Sequence, residues 1–168
     1  MSISNLATES LTLRTPHHNE CEKISALFSH IIETSFPMFS DNAKSAYLKS
    51  WTTEALQHRI ANHSHGLLSV AWLGDEPVGL VSATPPELGI ATIIWLLVKP
   101  SQQNLRIGSH LLSHTFNHYR KTNCHKVKLT VPSEKARKFY LNNGMKEEGY
   151  HPNHWDHCNF WSLAYDLA

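Results

Sequence analysis

Ile24, Leu27, Phe28, Ile31 and Ile32 follow one another at spacings of 3, 1, 3 and 1, the repeat that gathers apolar side chains on one helical face. The pattern predicts a helix over His17–Thr34, preceded by a short strand at Leu11–Arg14. Pro37 drives Phe36 out of the helical region and ends that helix. A second helix runs to about His63, capped by Ser40 or Asp41 and open to interruption near Thr52-Thr53. From Leu67 the repeat changes. Leu67–Leu73 and Val78–Thr84 are apolar β-type runs, joined by Gly74-Asp75-Glu76-Pro77 as a hairpin. Ile90–Val98 reads as a buried strand, and Lys126–Val131 alternates polar Lys126, Lys128 and Thr130 with Val127, Leu129 and Val131. Gln103–Thr122 and Ser133–Asn143 read as helices, the second stopped by Gly144 in a left-handed C-terminal cap. Lys146–Tyr150 and Asn159–Asp166 close the chain as strands.

The order is therefore strand, two helices, three strands, helix, strand, helix, two strands. Runs of consecutive strands argue for an α/β chain of mixed, α+β character and against a doubly wound parallel sheet. The expectation is a central twisted mixed sheet of about six to seven strands flanked by about four helices. The 168 residues suit one domain, 1–168, with a core of its own.

Composition narrows the class. With 41% apolar and 17% charged residues the chain is neither disordered nor membrane-embedded. Its longest apolar run, Ile90–Val98, is about half the roughly 20 residues a bilayer span needs. A formal charge of +1 gives no pull toward nucleic acid or anionic lipid, although 13 histidines soften that balance near pH 6. Cys21, Cys124 and Cys158 are odd in number and far apart, which argues against a disulfide framework and for a reducing compartment. Met1–Thr15 has no basic start and no apolar core segment, so the expected location is cytoplasmic.

The chemistry concentrates in Val98–Leu112 (VKPSQQNLRIGSHLL) and Ala136–Met145 (ARKFYLNNGM). A strand ends in Val-x-Pro, a polar loop with one Gly opens a helix, and after another strand a helix carries Phe139-Tyr140 and stops at Asn143-Gly144. In that order and spacing the segments resemble the Gcn5-related N-acetyltransferases, the GNAT family, over roughly residues 90–145. The resemblance implies the GNAT fold, acetyl-CoA as cosubstrate, no metal, and an amine acceptor, small molecule or protein, with the chain a monomer or homodimer. The family loop reads Gln/Arg-x-x-Gly-x-Gly/Ala and maps onto Gln103-Asn104-Leu105-Arg106-Ile107-Gly108, leading into Ser109. Gln103 and Gly108 match; Arg106 stands where the first Gly belongs. A helix N-terminus fed by such a loop offers free N–H groups to the CoA pyrophosphate. If the backbone at Arg106 is helical, Arg adds a phosphate-binding charge at no cost, which is the expectation; a positive φ there would count against binding. The resemblance also gives the main-chain groups of Leu96 and Val98 to the pantetheine arm, and makes Lys138 and Arg137 partners for CoA phosphates.

Acetyl transfer needs a neutral amine, a stabilised oxyanion and a proton for the departing thiolate. Tyr140 occupies the position of the family's usual general acid, with a phenol pKa about 10 against a thiol near 8.5, so placement must compensate for an uphill transfer. The usual Asn at the head of that helix is Ser133, which can cap the helix and meet CoA through its hydroxyl. Many relatives carry a Glu early on the strand Ile90–Val98. Here that position is Ile90, so Glu87, three residues earlier, is the candidate general base, followed by His154 and a water chain. No Cys or Ser stands in a nucleophile-and-base arrangement, so the amine attacks the thioester directly in a ternary complex. The alternative is a GNAT-fold module that binds acyl-CoA as a sensor, on the strength of the missing carboxylate and the Arg106 and Ser133 departures.

The remaining polar and aromatic residues are weaker pointers. His151-x-x-His154-x-x-His157-Cys158 fits no helical metal pair. His17-His18 and His63-Ser64-His65 read as solvated, while Trp51, Trp72, Trp95 and Trp161 fall in periodic segments and read as core. Phe36-Pro37-Met38-Phe39 and Trp155 lie in the two segments that flank the acceptor cleft in the family.

Overall fold

The computed structural model describes residues 10–62 and 66–168, with Asn104 described by its backbone alone. The histidines at 63 and 65 therefore lie outside the described residues. The chain runs β1 (Leu11–Arg14), α1 (Cys21–Ser35), α2 (Asp41–Lys49), α3 (Thr53–Asn62), β2 (Leu67–Leu73), β3 (Glu76–Ala83), β4 (Ile90–Val98), α4 (Ile107–Arg120), β5 (Lys126–Val131), α5 (Glu134–Asn142), β6 (Lys146–His151) and β7 (Phe160–Asp166). Among the described residues seven strands form one sheet in the order β1-β2-β3-β4-β5-β7-β6, a mixed sheet in which β4 and β5 alone run parallel. Among the described residues no helix is long and apolar enough to cross a membrane.

Helices cover both faces, and the strands divide their side chains between two cores. Ala71, Val78, Val81, Ala91 and Ile93 pack with Leu111, Leu112 and Phe116 of α4. Val70, Trp72, Leu80 and Leu97 pack with Ile24, Phe28 and Ile31 of α1 and Leu56 of α3. Along β4 the alternation inverts. Ala91 and Ile93 face the α4 side, but so do Leu96 and Val98, while Trp95 and Leu97 face α1. The cause is an extra residue: Ala83 of β3 pairs with Ile93 and Ser82 with Trp95, so Ile94 is bulged out and stands 54% exposed. One inserted residue exchanges the two faces of everything that follows it.

The element order agrees with the sequence pattern, with three differences. The described residues hold five α-helices rather than four, because the second expected helix breaks at Ser50–Thr52 into α2 and α3. The first expected helix begins with a 3-10 turn at His18–Glu20, and α1 starts only at Cys21. The helix expected from Gln103 starts at Ile107, since Pro100–Leu105 forms 3-10 turns and Arg106 leaves the helical region. A 3-10 run uses the same polar, Pro-led sequence as a helix start, so the pattern alone does not separate them. Ser40 caps α2, its Oγ accepting from the Ala43 N–H at 3.2 Å.

Candidate active site

β4 and β5 pair only over Ile90–Thr92, against Lys126–Lys128, and then part. The Lys99 N–H donates to the Val78 carbonyl at 2.8 Å, which sets the phase of the β3–β4 ladder. By strand alternation Trp95 and Leu97 turn their main-chain groups to β3, and Leu96 and Val98 turn theirs to the open edge facing β5. The bulge at Ile94 marks where the strands separate. Among the described residues, main-chain groups with no strand partner thus line a cleft that a slender, amide-bearing ligand can enter as an extra strand.

That edge leads into the loop. Gln103 Nε2 donates to the Val98 carbonyl at 3.5 Å, and Gln103 Oε1 accepts from Lys135 Nζ on α5 at 3.2 Å. Arg106 is the residue before α4 and makes no side-chain cap, so the N–H groups of the first turn, Ile107, Gly108 and Ser109, are left for an anion. Gly108 is where the parts close up: a methyl group added there would lie 3.1 Å from Cζ of Phe139 on α5 and 3.7 Å from Cγ2 of Val98. Arg106, Lys135 and Lys138 are exposed and, among the described residues, pair with no carboxylate.

Two expectations about this loop change. Arg106 has φ 58 and ψ 18, so the backbone is left-handed and the family's first Gly is replaced where it matters. The arginine bears a cost of roughly 1 kcal/mol for that conformation. Arg137 is unavailable to phosphate, because it is bound by Glu147 at 2.5 Å and Glu134 at 3.0 Å. Ser133 caps α5, accepting from the Ala136 N–H at 3.2 Å.

Tyr140 is 6% exposed within the core cluster that includes Leu129, Met145 and Leu163, and its ring meets Phe139 edge-on at 5.0 Å. Its hydroxyl has no hydrogen-bond partner among the described residues, and burial pushes its pKa above the ordinary phenol value. The proton is therefore held firmly at neutral pH. Glu87 is not brought to the cleft. It forms the base of the tight turn Glu87-Leu88-Gly89-Ile90, where Leu88 and Gly89 have φ of 50 and 84, at the closed end of the strand pair. About 20 Å of strand separates that turn from Leu96.

Across the cleft an aromatic wall forms around Trp95, which is partly buried and packs against the core on the α1 side. Its ring meets Phe28, Phe36 and Tyr47 edge-on at 5.3, 6.0 and 5.0 Å. The loop between β6 and β7 docks onto this wall: Asp156 accepts two hydrogen bonds from Ser40, and Cys158 Sγ points at the Met38 carbonyl, 3.4 Å away. Burial first, and then the Asp156 carboxylate, raise the Tyr47 pKa. Asn153, Asp156 and His157 all have positive φ, a concentration of left-handed residues in one short loop. The histidines serve the loop: His151 bonds Ser162 Oγ, His157 bonds Asn153 Oδ1, and His154 packs between Trp155 and Phe160. Sequence reasoning missed the Ser40–Asp156 tie and Tyr47, because contacts between segments this far apart leave no periodic trace.

Comparison with known proteins adds a family. A family model described as the acetyltransferase (GNAT) family matches residues 29–145. A sequence search of curated proteins finds no match. The fold is similar to PaiA N-acetyltransferase from Thermoplasma acidophilum in complex with coenzyme A, at TM-score 0.77 and 17% identity, covering 93% of this chain and 99% of that one. It is also similar to the ribosomal-protein-S18-alanine N-acetyltransferase from Escherichia coli and to YncA, a putative acetyltransferase from Salmonella typhimurium with its cofactor acetyl-CoA. Both have TM-score 0.71, 15% identity and 95% coverage of each chain.

Proposed function

The chain belongs to the acetyltransferase (GNAT) family, and on that premise we propose that it is an acetyl-CoA-dependent N-acetyltransferase acting on a primary amine. The observation that carries the reading is the open edge of β4 running directly into the uncapped N-terminus of α4. One ligand that is amide-bearing at one end and doubly charged at the other suits both features, and coenzyme A is such a molecule. PaiA, similar in fold, is known in complex with coenzyme A, and YncA with acetyl-CoA.

In this reading Leu96 and Val98 hold the pantetheine amides through their main chain. The N–H groups of Ile107, Gly108 and Ser109 take the pyrophosphate, with Arg106 and Lys138 adding charge and Gln103 and Asn104 bordering the loop. Ser133 fixes the start of α5 and so the height of Tyr140 along the cleft. The amine nitrogen attacks the acetyl carbonyl carbon directly. Tyr140, protonated at every physiological pH, donates to the sulfur as the carbon–sulfur bond breaks. Water in the cleft receives the amine's proton, since Glu87 sits in the turn before β4 and β4 itself carries no acidic residue.

A second reading, an acyl-CoA-binding module without turnover, is favoured by that same lack of a carboxylate. Isothermal titration with acetyl-CoA, followed by thiol release over a panel of amines, separates the two. Micromolar binding with amine-dependent CoA release is expected. Binding without release from any amine favours the module, and no binding sinks both.

A further inference from the structure

On the sheet face covered by α1 and α3, the bulge of β4 opens a cavity of about 270 Å³ lined by Ser50, Trp51, Arg59, Ser82, Thr84 and Trp95. Ile94, the bulged residue, also borders it, so cavity and open strand edge share one stretch of β4. Arg59 of α3 is the only charged side chain among the described lining residues. It is fixed from two sides: Nη2 donates to the Ser50 carbonyl at 2.5 Å, and the guanidinium lies 4.7 Å from the centre of the Trp51 ring. Trp51 in turn stacks on Phe28 at 4.3 Å, and Phe28 meets Trp95 edge-on at 5.3 Å.

Among the described residues the guanidinium so held has no counter-charge. Arg14 and Arg137 each bind carboxylates, whereas among the described residues none lies within 4.0 Å of Arg59. It is half-buried, and burial lowers its pKa, so the surroundings penalise the charge. One of its five N–H donors is used, by a neutral carbonyl. A planar fork with free donors at the wall of a small cavity is built to take a carboxylate in a bidentate pair.

We infer that this cavity is the acceptor pocket and that the acceptor is a small primary amine bearing a carboxylate, of free amino acid size, held by Arg59. The inference rests on the acetyltransferase reading of the open β4 edge. A lone cation repels polyamines and lysine-rich peptides, and the Trp51, Leu68 and Ile94 walls accept an apolar side chain. In the reaction the amine lone pair forms the nitrogen–carbon bond, the carbon–sulfur pair leaves on sulfur, and one proton passes from nitrogen to solvent while sulfur gains another. Arg59 takes part in none of these steps; it orients the acceptor.

The test is ligand-observed NMR with N-acetyl-L-leucine, a product of this class, and N-acetyl-L-leucinamide, which lacks the charge. The carboxylate is expected to bind at least tenfold more tightly than the amide. Arg59→Gln should abolish that difference and Arg59→Lys retain part of it, with thermal melting showing both variants folded. Equal binding of the two ligands to the unaltered protein, or binding of neither, overturns the pocket assignment without recourse to any variant. A parallel titration with acetyl-CoA keeps the two readings apart: CoA binding without carboxylate selectivity sinks only the acceptor assignment. Carboxylate selectivity without CoA binding leaves an anion site and sinks the acceptor role together with the transferase.

Discussion

The Asp156 carboxylate accepts from Ser40 twice, from the backbone N–H at 2.6 Å and from the hydroxyl at 2.7 Å, joining residues 116 apart in sequence. The same Ser40 hydroxyl accepts from Ala43 at the head of α2, so one side chain caps a helix and anchors the β6–β7 loop. Asp156→Ala should raise the KM of the amine acceptor while leaving the KM of acetyl-CoA unchanged, because the loop borders only the aromatic side of the cleft. The Ser40 hydrogen bonds hold the Asp156 pKa below its ordinary value. The contribution is thus complete above the unfolded value of about 3.9 and is lost as pH falls through the lower folded value. Acceptor KM should accordingly show no Asp156 titration between pH 5 and 9; an inflection in that window that vanishes in Asp156→Asn would refute the tie.

Arg106→Gly separates two effects of one residue. Removing the left-handed arginine should stabilise the fold by about 1 kcal/mol, a rise in Tm of about 2–4 °C for a chain of this size. On the proposed reading acetyl-CoA affinity should fall at the same time, since the charge assigned to the phosphates is lost. Calorimetry of unfolding and of binding reads the two independently; a drop in Tm would show that φ at this position is not the cost described.

Tyr140→Phe should lower turnover by about tenfold or more, the usual size of an acid–base contribution, with acetyl-CoA affinity nearly intact. Because burial raises the phenol pKa, kcat should not decline with rising pH up to about 10 on Tyr140's account. Unchanged turnover in the variant removes the hydroxyl from the reaction.

Ser133→Ala removes the N-cap of α5 and should cost about 1 kcal/mol, while Ser133→Asn should restore the loss. If urea denaturation finds both variants as stable as the parent, the 3.2 Å cap contact contributes nothing.

The strands were legible because their alternation is local. Leu67–Leu73 and Lys126–Val131 match their expected limits, and Gly144 does have φ 91. What escaped the pattern depends on contacts. Arg106 is left-handed because Pro100–Leu105 coils before α4, and no property of arginine announces that. Glu87 looked near the site because sequence distance along β4 was the only ruler, whereas the pairing of β4 with β5 fixes which end of the strand opens. Trp95 read as core and does pack on it, but its place beside the Ile94 bulge, at the wall of a cavity, left no trace in the periodicity. Arg59 sits in a helix whose periodicity explains its presence fully, and only its half-buried place at a cavity wall, held by Ser50 and Trp51, singles it out.

The placing of β7 between β5 and β6 has a bearing on how the chain is made and kept. Everything attributed to coenzyme A binding, from Leu96 to Tyr140, is translated before Phe160–Asp166. Until that last strand docks, Lys126–Val131 shows an unpaired flank with valine at two of its apolar positions, a template for pairing between chains. A nascent or clipped chain lacking β7 would carry the whole phosphate loop and still be a substrate for aggregation and proteolysis.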